Sequence, residues 1–136
     1  MNEYYIDSNV FLRVILNDHK TQSPECLKIF KKAENGEVSL VTQGITICEV
    51  VWVLTSLYKI SKKEIIEHLQ IILFSSGLRI IDKEVLIASV SLFEKINADF
   101  IDCYVASWMK TNGINKIISF DQDFEKFPFL ERGEKV

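Results

Sequence analysis

The chain has 136 residues, 48% hydrophobic and 26% charged, the balance of one soluble globular domain with its own core rather than a disordered or fibrous chain. A formal net charge of −3 argues against nucleic-acid binding through bulk basic charge, unless clustered acids are neutralised by divalent cations. No apolar run is long enough for a membrane span, no basic-then-apolar leader predicts secretion, and the three cysteines, Cys26, Cys48 and Cys103, suit a reducing cytoplasm better than a disulfide framework or zinc site.

Tyr4 to Ile6 reads as a strand that delivers Asp7 to its carboxyl end, and Ser8 to about Asn17 as the helix that follows. Ser23-Pro24 has the form of a helix start, with Ser as N-cap and Pro at the first helical position. Leu27, Ile29, Phe30 and Ala33 give that second helix an apolar stripe, which Asn35-Gly36 ends. Val38 to Val41 is a short strand. The run from Ile45 through Tyr58 is β-branched enough for a strand but long enough for a buried helix. We read it as helix, with Thr46 and Glu49 at capping-box spacing. Ser61-Lys62-Lys63-Glu64 is a clearer capping box, opening a helix to about Phe74 that Gly77 stops. A strand over Leu78 to Ile81, a helix from Lys83 to about Ile96 and a helix from Asp99 to Thr111 follow. Lys116 to Ser119 is the fourth strand, then come a turn around Phe120–Phe124 and a tail suited to an edge strand. No repeat or linker divides the chain, so residues 1–136 are expected to form a single domain. Alternating strands and helices imply a parallel sheet covered on both faces.

Acids recur where ligands sit in such folds, at the carboxyl ends of the strands. Asp7 follows the first strand, Glu49 lies early in the helix after the second, Asp99 and Asp102 open the helix before the fourth, and Asp121 follows that strand. Each has a plainer use as a helix cap or turn residue. Together they form a set whose mutual repulsion and desolvation cost a divalent cation would relieve. Mg²⁺ takes oxygen ligands, needs few carboxylates and keeps several waters. His19 and His68 lie in polar surroundings and match no motif, and Cys48 and Cys103 point about 100° away from the acids beside them.

Four segments, in order, resemble the motifs of the PIN-domain family, and within it the VapC-type toxins of toxin–antitoxin pairs. They are Tyr5-Ile6-Asp7-Ser8-Asn9-Val10-Phe11-Leu12-Arg13, Thr46-Ile47-Cys48-Glu49-Val50-Val51-Trp52-Val53-Leu54, Ala98-Asp99-Phe100-Ile101-Asp102-Cys103-Tyr104-Val105-Ala106 and Ile118-Ser119-Phe120-Asp121-Gln122-Asp123-Phe124. Cys103 stands where Ala is commoner. The resemblance implies a three-layer α/β/α fold with a central, mostly parallel sheet. It implies an endoribonuclease dependent on Mg²⁺ or Mn²⁺, a homodimer acting on RNA and inhibited by a cognate antitoxin. Asp7, Glu49, Asp102 and Asp121 fall on its catalytic, metal-binding positions. Asp99 and Asp123 are auxiliary ligands or structural acids, and Ser8, Asn9, Thr46 and Ser119 are candidates to orient ligands and waters. Arg13, on the helix that begins after Asp7, is the favoured guide for RNA, and the helices carrying Trp52, Leu57, Leu69 and Leu73 are a candidate groove for an antitoxin helix.

Two other readings stay open. One is another Mg²⁺-dependent phosphohydrolase: a haloacid-dehalogenase type wants Asp where Asn9 stands, and a phosphoacceptor receiver would use Asp82 with a second acid near strand one. The other is a PIN-like module that binds RNA or protein without cutting.

Overall fold

The computed structural model describes residues 2–136. Six α-helices and five short strands alternate along it: β1 (Glu3–Tyr5), α1 (Ser8–Leu16), α2 (Gln22–Glu34), β2 (Ser39–Thr42), α3 (Gly44–Ser56), α4 (Lys62–Leu73), β3 (Leu78–Ile80), α5 (Lys83–Lys95), α6 (Phe100–Thr111), β4 (Lys116–Ile118) and β5 (Glu131–Gly133), with a 3₁₀ turn over Gln122–Lys126. The chain gathers into two compact units, one running to Lys83 and the other covering Glu84–Val136.

In the first unit the sheet order is β1-β2-β3 and every pair is parallel, with Leu40 opposite both Tyr4 and Leu78. Two helices connect each strand to the next, enough chain to return to the same end of the sheet, as parallel pairing requires. β2 is the central strand, and Leu40 and Thr42 are fully buried. Phe11 of α1 meets Phe30 of α2 with ring centroids 5.5 Å apart. The ambiguous run after β2 is helical. As α3 it buries Ile47, Cys48, Val50, Val51 and Leu54, which is why its sequence lacks a one-sided stripe. Ser61 caps α4, its hydroxyl accepting from the Glu64 N–H at 3.2 Å.

Three expectations need correction. α2 starts at Gln22, so Ser23 is inside the helix rather than its cap. The His19 Nδ1 accepts from the Gln22 N–H at 3.0 Å, and the Ser23 hydroxyl accepts from the His19 N–H at 3.2 Å, so the chain turns before the Ser-Pro pair. The expected antitoxin groove also divides: Trp52 and Leu57 are 53% and 64% exposed, whereas Leu69 and Leu73 are 1% and 3% exposed and belong to the core. An apolar cavity of about 320 Å³ instead opens against α1, α2 and α4, lined by Phe11, Val14, Ile15, Leu27, Phe30 and Ile71 among others. His68 is on its wall, so its surroundings are mixed, mainly apolar residues together with Glu34, Ser75 and Ser76, rather than simply polar.

In the second unit β4 pairs in parallel with β5, Lys116 opposite Glu131, and the tail strand is real. Phe93 of α5 packs edge-on against Phe100 of α6 at 5.4 Å between centroids. Phe124, Phe127 and Phe129 form a chain of tilted rings beside the 3₁₀ turn. Phe127 and Cys103 are fully buried.

Candidate metal centre

The second unit brings three acids together. One carboxylate oxygen from each of Asp102, Asp121 and Asp123 lies within 4.8 Å of the others. Local structure explains how they meet. Asp99 takes the extended N-cap conformation that starts α6 (φ −65°, ψ 149°), although its side chain makes no capping hydrogen bond. Asp102 is then in the first turn, where the helix dipole favours negative charge. After β4, the Ser119 hydroxyl accepts from the Asp121 N–H at 3.0 Å, and the Asp121 Oδ1 accepts from the Asp123 N–H at 2.9 Å. This second bond caps the 3₁₀ turn and folds Asp123 back beside Asp121.

Two basic residues brace the turn. Arg132 of β5 donates to the Ser119 carbonyl at 2.8 Å and pairs with Glu125 and Glu134. Lys126 pairs with Asp123 at 3.0 Å and donates to the Asn97 carbonyl at 2.7 Å. Neither was singled out from the sequence. The signal available there was Lys126 standing three residues after Asp123, a spacing that faces two side chains across one helical turn.

Electrostatics single out Asp102. Burial raises its pKa above the usual carboxyl value, the negative charges of Asp121, Asp99 and Asp123 push the same way, and Lys126 opposes them. A half-buried acid beside other acids favours either a proton or a cation. The donors are all hard carboxylate oxygens, the set that suits Mg²⁺ or Mn²⁺ rather than softer metals.

Asp7 and Glu49 lie in the first unit, at the carboxyl edge of its sheet. β1 ends just before Asp7, and its parallel neighbour β2 ends just before α3, which carries Glu49. Asp7 is exposed and is the N-cap of α1 by backbone (φ −80°, ψ 163°), but its carboxylate makes no capping bond. Glu49 is exposed in the second turn of α3. The capping-box reading of Thr46 and Glu49 does not hold, because the N-cap is Gln43. The Thr46 hydroxyl instead meets the Tyr5 hydroxyl at 2.6 Å. The start of α3 is served by Asp82, whose Oδ1 accepts from the Gly44 N–H at 2.7 Å, so the acid that a receiver would phosphorylate is engaged at a helix N-terminus. Ser8 is buried, Asn9 is exposed, and the Arg13 Nε donates to Gln22 Oε1 at 2.7 Å, which holds that side chain against α2.

The sequence profile of the PIN domain matches residues 4–130. The chain belongs to the PIN-domain family. The match runs through both compact units, and membership brings with it the α/β/α fold class expected from the four motifs, in keeping with the six helices and parallel strands. The PIN chain is also 27% identical over 147 aligned residues to Ribonuclease VapC2 of Methanocaldococcus jannaschii, an alignment covering 96% of this chain and 92% of that protein.

Proposed function

We propose that this PIN protein is an endoribonuclease of the VapC type that hydrolyses RNA phosphodiester bonds with one or two divalent ions, Mg²⁺ or Mn²⁺, and that residues 1–136 act as one nuclease domain. The observation that carries this reading is the convergence of Asp102, Asp121 and Asp123. Similarity to a ribonuclease along almost the full chain supports it. When bound, the ion makes hydroxide available near neutral pH and offsets charge developing on the phosphate. The chain's own part is to hold the ion and admit the substrate. Asp102 and Asp121 bind through carboxylate oxygens, and Asp123 joins them as the third acid of the cluster. Ser119 fixes the backbone from which Asp121 projects. Asp7 and Glu49 enter as further ligands or catalytic acids because of their places in the first two motifs, both carboxylates being exposed and the Asp7 carboxylate making no capping bond. Asp99 acts through its charge on Asp102. Ser8, Asn9 and Thr46 orient neighbouring groups, and Arg13 guides the RNA backbone.

The same reading makes the protein a cytoplasmic homodimer controlled by an antitoxin. Three cysteines scattered along the chain, Cys26, Cys48 and Cys103, suit a reducing compartment better than a disulfide framework. Exposed Trp52 and Leu57 suit a subunit interface. The cavity beside Phe11, Leu27 and Ile71 suits an apolar antitoxin segment.

The test is RNA cleavage by protein purified free of any antitoxin. Mg²⁺ or Mn²⁺ should support cleavage, EDTA should stop it, and adding metal back should restore it. Asp7→Asn and Asp102→Asn should each fold and fail to cut. Cleavage at the parental rate by both variants, or in excess EDTA, would overturn the proposal.

A further inference from the structure

Lys126 is the positive charge built against the acid cluster. It closes the 3₁₀ turn that carries Asp123, pairs with that carboxylate at 3.0 Å, donates to the Asn97 carbonyl at 2.7 Å and counters the acids acting on Asp102. Its side chain is 41% exposed, so the ammonium reaches both the cluster and solvent. One lysine cannot neutralise Asp102, Asp121, Asp123 and the nearby Asp99. A divalent ion can do more, but it competes with Lys126 for the Asp123 carboxylate and enters against its charge.

We propose that Lys126 is the resident counter-charge of this cluster: it gives up Asp123 when the divalent ion arrives, and the released ammonium then takes a phosphate of the RNA. The proposal rests on the metal-dependent nuclease reading above. A lysine suits the exchange because its charge is compact and carried on a flexible four-carbon stem. The Asn97 carbonyl keeps one partner for the ammonium while Asp123 turns to the ion. Metal entry thus converts an internal ion pair into a substrate contact, and the basic group that a chain of net charge −3 needs beside its acids becomes available when the site is charged with metal.

A bracing residue and a counter-charge give opposite results on removal. If Lys126 only held the turn in place, its loss would weaken metal and RNA binding together. As a counter-charge, its loss should tighten the metal and weaken the RNA. The experiment is calorimetric titration of Mn²⁺ into the full chain, stripped of metal beforehand, for the parent, Lys126→Gln and Lys126→Arg. We expect Lys126→Gln to bind Mn²⁺ about two- to fivefold more tightly, the range for a half-exposed ion pair, and Lys126→Arg to bind as the parent does. At saturating Mn²⁺, Lys126→Gln should raise KM for RNA and leave kcat near the parental value. Should Lys126→Gln fail to fold, Lys126→Met carries the same expectations. Equal or weaker Mn²⁺ binding by the uncharged variant would overturn the role of Lys126 and leave the nuclease reading in place. A parent that binds no Mn²⁺ would overturn both.

Discussion

Asp102→Asn should raise the stability of the metal-free protein while abolishing its activity. The side chain keeps its shape and loses its charge. At the 4.8 Å limit within which the three carboxylate oxygens lie, each like-charge pair costs between about 0.9 kcal/mol at the dielectric of water and about 3.5 kcal/mol at an effective value of 20. The lower end applies, because Asp121 is exposed and Lys126 returns part of the repulsion. A net gain of about 1 kcal/mol should lift the melting temperature of a chain this size by about 3–5 °C. The effect has a definite pH dependence. The Asp102 pKa is raised in the folded state, so between its ordinary value and the raised one the native protein holds the extra proton. The destabilising contribution of Asp102 is therefore complete above the raised pKa and relieved as pH falls through it. The assay is thermal melting in EDTA at neutral pH and again in mild acid, where parent and variant should converge. With Mn²⁺ present the order should reverse, since the parent gains a ligand that stabilises the fold. An Asp102→Asn protein that melts several degrees below the parent in EDTA would refute the reasoning, because burial and the neighbouring acids would then not disfavour the Asp102 charge.

Other outcomes follow from the same structure. Gly77 adopts φ +79°, and a Cβ there would run into the Ala33 carbonyl, so Gly77→Ala should lower the urea midpoint with an unchanged slope, by at least about 1–2 kcal/mol from the left-handed backbone alone. Ser61→Ala removes the bond to the Glu64 N–H and should cost about 1 kcal/mol by the same measurement. Among the three thiols, burial pushes Cys48 up to about 12, with Asp82 adding to it, and Cys103 is fully buried. A thiol reagent at pH 8 should therefore label Cys26 first and reach the other two only on unfolding. Simultaneous labelling of all three in the native protein would contradict this packing.

Local chemistry made much of the fold readable. Ser61 with Glu64 marked a true helix start, whereas α4 ends at Leu73 with Phe74 as its C-cap and Gly77 turns the chain into β3. The length of the apolar run at Ile45 outweighed its β-branched content because tertiary burial overrides propensity. Asp99 was readable as the start of α6. What escaped notice depends on partners distant in sequence. His19 begins α2 before the Ser-Pro pair does. Asp82 serves α3 from the end of the neighbouring strand β3, and no spacing in the chain announces it. Leu69 and Leu73 share their helix with exposed Ile71, and a stripe alone does not tell core from groove. Asp123 could equally have been a turn residue. The bond from its N–H to Asp121 folds it into the cluster, and the same turn brings Lys126 to the acids.

The central claim is that these carboxylates hold a divalent ion. Crystals soaked in Mn²⁺ and measured by anomalous scattering test it most directly. The account predicts a peak bounded by oxygens of Asp102, Asp121 and Asp123, lost in Asp102→Asn crystals. Manganese bound only at other acids, or no peak at millimolar Mn²⁺, would contradict it.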